Sequence, residues 1–205
     1  SYGIIYFLWF THLESLNQRD FYMIHCSLDN YIPFQAAFIV PYLLWFLYVA
    51  AAIVFPFFTS RTDYYRTTAY LFIGMTICLI IFSVYPSKFD RGSIGEVTGL
   101  FAPFVAKLRS IDTPTNVFPS IHVFNSIVVH VTLMKNTYLN QQRQKSVKKK
   151  NIIRTIRILS FLLMISICLS TVFLKQHSAL DGFAGALLAL ILYPFIYCFP
   201  KKQTN

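Results

Sequence analysis

The stretch Ser170-Thr-Val-Phe-Leu-Lys-Gln-His177-Ser-Ala-Leu-Asp181 sets a histidine and a carboxylate between two strongly apolar runs, 152–174 before it and 180–199 behind it. Each run is near the roughly 20 residues that a helix needs to cross a bilayer. His177 and Asp181 stand four residues apart, a spacing that places two side chains on one face of a helix. Here that face lies at the edge of the membrane, where ionisable groups are costly and commonly functional.

Outward from this stretch the chain keeps the same character. It is 56% hydrophobic and 18% aromatic, and only 13% of its residues are charged, against about 25% in a soluble domain. The apolar residues fall in long blocks. The expected fold is an all-α, polytopic membrane helical bundle, a single domain over residues 1–205, with about six transmembrane helices. The spans are read at 2–13, 34–58, 68–85, 119–139, 152–174 and 180–199. The chain opens inside an apolar run, so the first span is read as truncated. Trp9, Tyr31, Tyr42, Trp45, Tyr64, Tyr65 and Tyr85 fall near span ends, as an interfacial aromatic belt does. The four cysteines show no paired spacing, and no disulfide framework or zinc site is implied.

The net charge of +10 is concentrated in segments that flank spans, which fits a membrane surface and not nucleic acid. Arg61 and Arg66, then the series from Lys135 to Arg157, then Lys201 and Lys202 all fall on one side of an alternating bundle. The positive-inside rule makes that side cytoplasmic, and the run Lys145 to Lys150 reads as a solvated loop beside anionic lipid. His122 and His177 emerge on the other, outer side. In the outer loop 86–118, Val97, Leu100, Phe101, Phe104, Val105 and Leu108 recur at helical spacing. They predict a short interfacial helix lying over the tops of the spans.

Pro119 suits the first position of a helix. Ser120 and His122 then sit in the first turn, where free N–H groups and the positive dipole end attract phosphate. An imidazole there can protonate a leaving alkoxide. At the other motif, a carboxylate that accepts the Nδ1 proton of His177 fixes the tautomer and leaves the second nitrogen to attack phosphorus. Two plainer readings compete: a helix start with an interfacial histidine at 122, and a capping box in which Ser178 and Asp181 begin the last helix. A phosphate also needs cations in the transition state; the outer-face candidates are Arg91, Lys88 and Lys175. His130 lies about 12 Å deeper than His122 along a helix and reads as a core histidine, while His12 and His25 read as interfacial.

In order and spacing these motifs resemble the type 2 phosphatidic acid phosphatase superfamily, whose pattern is K-x6-R-P, then P-S-G-H, then S-R-x5-H-x3-D. The chain has Pro119-Ser-Ile-His122, then Ser170-Thr171, five residues, His177, three residues and Asp181. These words, with Leu28-Asp-Asn-Tyr-Ile-Pro-Phe34 and Ile39-Val-Pro-Tyr-Leu-Leu-Trp-Phe46, look most like the branch grouped with inositol phosphorylceramide synthases. The resemblance implies a six-helix bundle with an outer-face site, His177 as nucleophile, Asp181 as its partner, His122 as general acid, and Ser120 and Ser170 helping to bind phosphate. It implies no metal and no cofactor. Val84 stands at the family's lysine, Gly92 follows Arg91 in place of proline, Ile121 replaces glycine, and Thr171 replaces the third motif's arginine. These departures leave headgroup transfer open beside hydrolysis. Lys88 and Lys175 are the expected substitutes.

The expected function is therefore a lipid phosphatase or phosphotransferase, with a phosphorylated lipid as substrate and membrane lipid as surroundings. No nucleic acid and no obligate protein partner is implied. The expected location is a plasma membrane, bacterial, with the site outside. The competing class is a transporter or lipid-binding protein with the same polar residues. Transporters place such groups at the midplane and within repeats, whereas here they lie at helix mouths and no repeat shows.

Overall fold

The structure, a computed structural model, describes residues 2–16, 20–92 and 97–198. Over these residues it is 77% helical, with eight α-helices and almost no strand. They are α1 (Tyr2–Ser15), α2 (Ile39–Thr59), α3 (Arg61–Val84), α4 (Ala102–Ile111), α5 (Ile121–Lys135), α6 (Thr137–Lys145), α7 (Val147–Phe173) and α8 (Ala179–Tyr197). Two short strands, β1 (Tyr22–Met23) and β2 (Ser87–Lys88), and two 3-10 turns, Ser27–Asn30 and Ala36–Phe38, complete the regular elements among these residues.

Five helices start at a side chain that accepts a free backbone N–H: Ser60 for α3, Ser120 for α5, Asn136 for α6, Ser146 for α7 and Ser178 for α8. Such caps satisfy donors that a helix leaves open at its first turn. They also explain where the sequence reading was corrected. The fourth span does not run to residue 139. Asn136 caps a new helix there, and the Asp63 carboxylate ties the junction down by accepting from the Thr137 N–H (2.8 Å) and hydroxyl (2.5 Å). The basic run is not a loop either. Lys145 ends α6, Ser146 caps α7, and Lys148, Lys149 and Lys150 stand exposed in the first turns of α7.

Four helical segments are long and apolar enough to cross a membrane: Ala36–Thr59, Arg61–Val84, Val147–Phe173 and Ala179–Tyr197. The expected six spans are thus four of full length and two short helices. With 15 residues, α5 is about 22 Å long, less than the roughly 30 Å of bilayer hydrocarbon. It stands at the centre, packed against α2, α3, α7 and α8. Phe124 and Val128 of α5 are fully buried against Tyr70 and Leu71 of α3 and Ala189 and Leu192 of α8. Phe46, Leu47, Phe58, Leu162, Phe183 and Leu190 point outward and exposed, the lipid-facing surface of an integral membrane bundle. The end expected for the sixth span, Phe199, and the terminal Lys201 and Lys202 lie outside the described residues.

At the end of the bundle where α3 stops and α5 and α8 start, the connecting loops are stitched together. Tyr22 and Met23 pair in parallel with Ser87 and Lys88, and Lys88 bridges Thr115. The short helix expected over 97–108 is α4, shifted to Ala102–Ile111 because Pro103 occupies its first turn, where proline fits. Its buried Val105 packs on Ile39 and Tyr42 of α2 and on Leu174, so α4 covers the tops of α2 and α7.

Candidate active site

His177 and Asp181 meet, but not along one helical face as their spacing suggested. His177 precedes the cap residue Ser178 and lies outside α8, while Asp181 is in its first turn. The Asp181 carboxylate is fully buried. One oxygen, Oδ2, accepts from the Ser178 N–H at 2.9 Å and from His177 Nδ1 at 3.3 Å. The capping box and the histidine–carboxylate pair, alternatives in the sequence, are one arrangement served by one oxygen atom. His177 Nδ1 also lies 3.1 Å from the Val117 carbonyl. Both neighbours are acceptors, so the neutral ring is the tautomer with its proton on Nδ1 and its lone pair on Nε2.

His122 lies in the first turn of α5, and its ring meets that of His177 edge-on with centroids 5.6 Å apart. Tyr42 and Trp45 flank it at 4.6 and 4.4 Å. The Tyr42 hydroxyl donates to the Asp112 carboxylate, which fixes the ring that His122 leans on. Ser120, fully buried, donates its N–H to the Asp181 carbonyl at 3.0 Å. This backbone bond joins the start of α5 to the start of α8 and sets the two histidines side by side. Gly185 makes the approach possible: a Cβ there would stand 2.5 Å from the Ser120 carbonyl oxygen.

The expected phosphate ligands are distributed unevenly. Arg91 is part-buried and donates to the Asp112 carbonyl and to Gln176 Oε1, the residue next to His177. Removal from water lowers the pKa of its guanidinium, yet an arginine stays protonated. Lys175 adopts a left-handed backbone (φ 55°) and sends its ammonium to the Asp29 carbonyl at 2.7 Å. Ser170 is fully buried and turns its hydroxyl back to the Ile167 carbonyl. The Ser120 hydroxyl accepts from the Val123 N–H as the α5 cap. Lys88 is exposed on β2. Thus His177, Asp181, His122 and Ser120 come together with Arg91 close by, while Ser170, Lys175 and Lys88 are engaged or placed elsewhere.

Sequence reasoning missed Asp29. Its carboxylate accepts from the Ser178 hydroxyl at 2.6 Å, the Ala179 N–H at 2.8 Å and the Cys26 N–H at 2.8 Å. Burial alone would raise the Asp29 pKa, but these hydrogen bonds outweigh it and hold the group below its ordinary value. Asp29 thereby clamps the turn that carries His177. Its only signal was its place in the Leu28–Phe34 stretch that supported the family resemblance. Tyr42, Trp45 and Asp112 were missed as well, since aromatic residues at a span end read as belt. His130 is hydrogen-bonded as expected, to the Ser160 hydroxyl at 3.1 Å, but it is part-buried and not in the core. Among the described residues no group of three or more His, Cys, Asp or Glu side chains is arranged to hold a metal ion.

Compared with known families, residues 68–205 match the family model described as the PAP2 superfamily. Comparison with curated proteins and with solved structures finds no match.

Proposed function

Because the chain belongs to the PAP2 superfamily, we propose that it is a membrane enzyme that transfers the phosphoryl group of a phosphorylated lipid by way of His177. Membership supports phosphatase or phosphotransferase activity in general; the lipid substrate and the histidine intermediate are our reading. The observation that carries it is the fixed tautomer: Nδ1 faces two acceptors, so Nε2 is the free nucleophile.

In this reading Nε2 attacks phosphorus. The bond to the leaving oxygen breaks, and His122 gives that oxygen a proton. Asp181 and the Val117 carbonyl support the positive charge that develops on the His177 ring. The guanidinium of Arg91, bonded to Gln176 beside His177, takes the phosphoryl oxygens by exchanging that bond. His122, now neutral, takes a proton from the incoming hydroxyl, whose oxygen displaces Nε2. Water as acceptor releases phosphate; an alcohol gives a new ester. Transfer of an inositol-phosphate headgroup to a lipid acceptor is the version favoured by Pro119-Ser-Ile-His122 and by Thr171 in place of arginine. The outer face of a plasma membrane is the matching location.

The test is turnover of the purified protein in lipid micelles with phosphatidic acid, isoprenyl diphosphate or phosphatidylinositol, with and without ceramide or inositol, products being followed by mass spectrometry. His177→Ala should lose all turnover, on the order of 10⁴-fold or more by analogy with loss of a nucleophile. Free phosphate identifies a phosphatase, and a new phospholipid formed only with acceptor identifies a transferase. Undiminished turnover in His177→Ala would refute the mechanism, and turnover in neither protein would favour a transporter or lipid-binding role.

A further inference from the structure

At the end of the bundle opposite the histidines lies a second polar site. From His122 to Met134 along α5 is about 18 Å. There a hollow of about 460 Å³ opens between α5, α6 and α7, lined by His130, Met134, Arg143, Arg154, Arg157 and Phe161 among others. Three of these are guanidinium groups. Among the described residues none of the three has a carboxylate partner.

Arg157 is only 8% exposed. It donates to the Met134 carbonyl at 3.1 Å and to Asn140 Oδ1 at 2.8 Å, but its Nε is buried without a hydrogen-bond partner. A buried donor left unmatched beside two further uncompensated cations is unfavourable unless an anion completes the set. The rest of the lining is largely apolar: Met134, Ile158 and Phe161 are 42, 49 and 48% exposed. The volume exceeds what a bare phosphate would fill, being room for more than about a dozen waters at ~30 Å³ each.

We propose that this hollow binds the headgroup of an anionic glycerophospholipid in the leaflet opposite the candidate active site. The phosphate sits against Arg143, Arg154 and Arg157, and the first acyl segments lie along Met134, Ile158 and Phe161. Basic pockets between transmembrane helices are a known means of holding anionic lipid. His130, on the wall of the hollow, is held by the Ser160 hydroxyl at 3.1 Å.

The test is native mass spectrometry of the full chain taken from bilayer discs of equal phosphatidylglycerol and phosphatidylcholine, together with melting curves in each lipid and in inorganic phosphate. Retained phosphatidylglycerol should exceed phosphatidylcholine by about tenfold, the range expected for a few arginines at a lipid surface. The preference should vanish in an Arg143→Gln/Arg154→Gln double variant, whose replaced side chains are both exposed, and persist in His177→Ala. No preference in the unaltered protein, a preference that survives the double variant, or one lost in His177→Ala would each overturn the proposal. So would equal stabilisation by inorganic phosphate, which would indicate a free-ion site.

Discussion

Single atoms decide most of what this site can do. Asp181 Oδ2 serves a helix cap and a histidine at once, and Asp29 holds the turn between them. Asp29→Asn removes a charged acceptor from three donors and should cost about 1–3 kcal/mol, read as a lower melting temperature at pH 7. The sign with pH follows from its depressed pKa. The unfolded carboxyl, with a pKa near ~3.9, takes up protons before the folded one. The contribution of Asp29 is therefore complete above that pH and is lost as pH falls through the folded value. Melting curves from pH 7 down to pH 3 should fall less steeply for Asp29→Asn than for the unaltered protein. At the histidines, Asp181→Asn should lower turnover by about 10⁴-fold, since a triad carboxylate replaced by amide leaves the wrong tautomer. A kcat close to that of the unaltered protein would remove Asp181 from the mechanism.

Close approach between helices is set by two glycines. A Cβ at Gly74 in α3 would stand 1.9 Å from Cζ of Phe124, and one at Gly185 in α8 would stand 2.5 Å from the Ser120 carbonyl oxygen. In both cases overpacking of about 1–3 kcal/mol exceeds the roughly 1 kcal/mol that alanine gains over glycine inside a helix. The functional results should differ. Gly74→Ala disturbs the core beneath α5 and should lower the melting temperature. Gly185→Ala presses on the backbone that joins Ser120 to Asp181, so it should separate His122 from His177 and lower kcat by a larger factor than Gly74→Ala. Steady-state rates measured beside melting curves would separate the two effects.

For the molecule as a whole, hydropathy and charge made the membrane bundle legible, because a run of 20 apolar residues has few other ways to fold. The two histidine motifs were legible because each sits at a helix start, where cap residues and their spacing are local signals. What was not legible was long-range. Asn136 ending α5 depends on Asp63 reaching Thr137, and the clamp of Asp29 on Ser178 spans 149 residues. No periodicity records such contacts. The orientation of the bundle can be tested at this scale. In a cysteine-free background, an impermeant maleimide applied to intact cells should label Tyr31→Cys, at a site 83% exposed near the histidine end, and spare Ser146→Cys until the cells are opened. The reverse pattern would invert the assignment.

The clamp from Asp29 to Ser178 also bears on the order in which the protein is made. Asp29 is synthesised early, ahead of the segment at 68–205 that matches the family. Ser178 and Asp181 come much later, at the start of α8. Contacts of such separation form late, because the intervening chain must close first. A nascent chain that has inserted α5 already holds His122 but has no turn to present His177. The turn that carries His177 thus waits for α8 to emerge, and the closing of one carboxylate on one hydroxyl brings the two histidine motifs together.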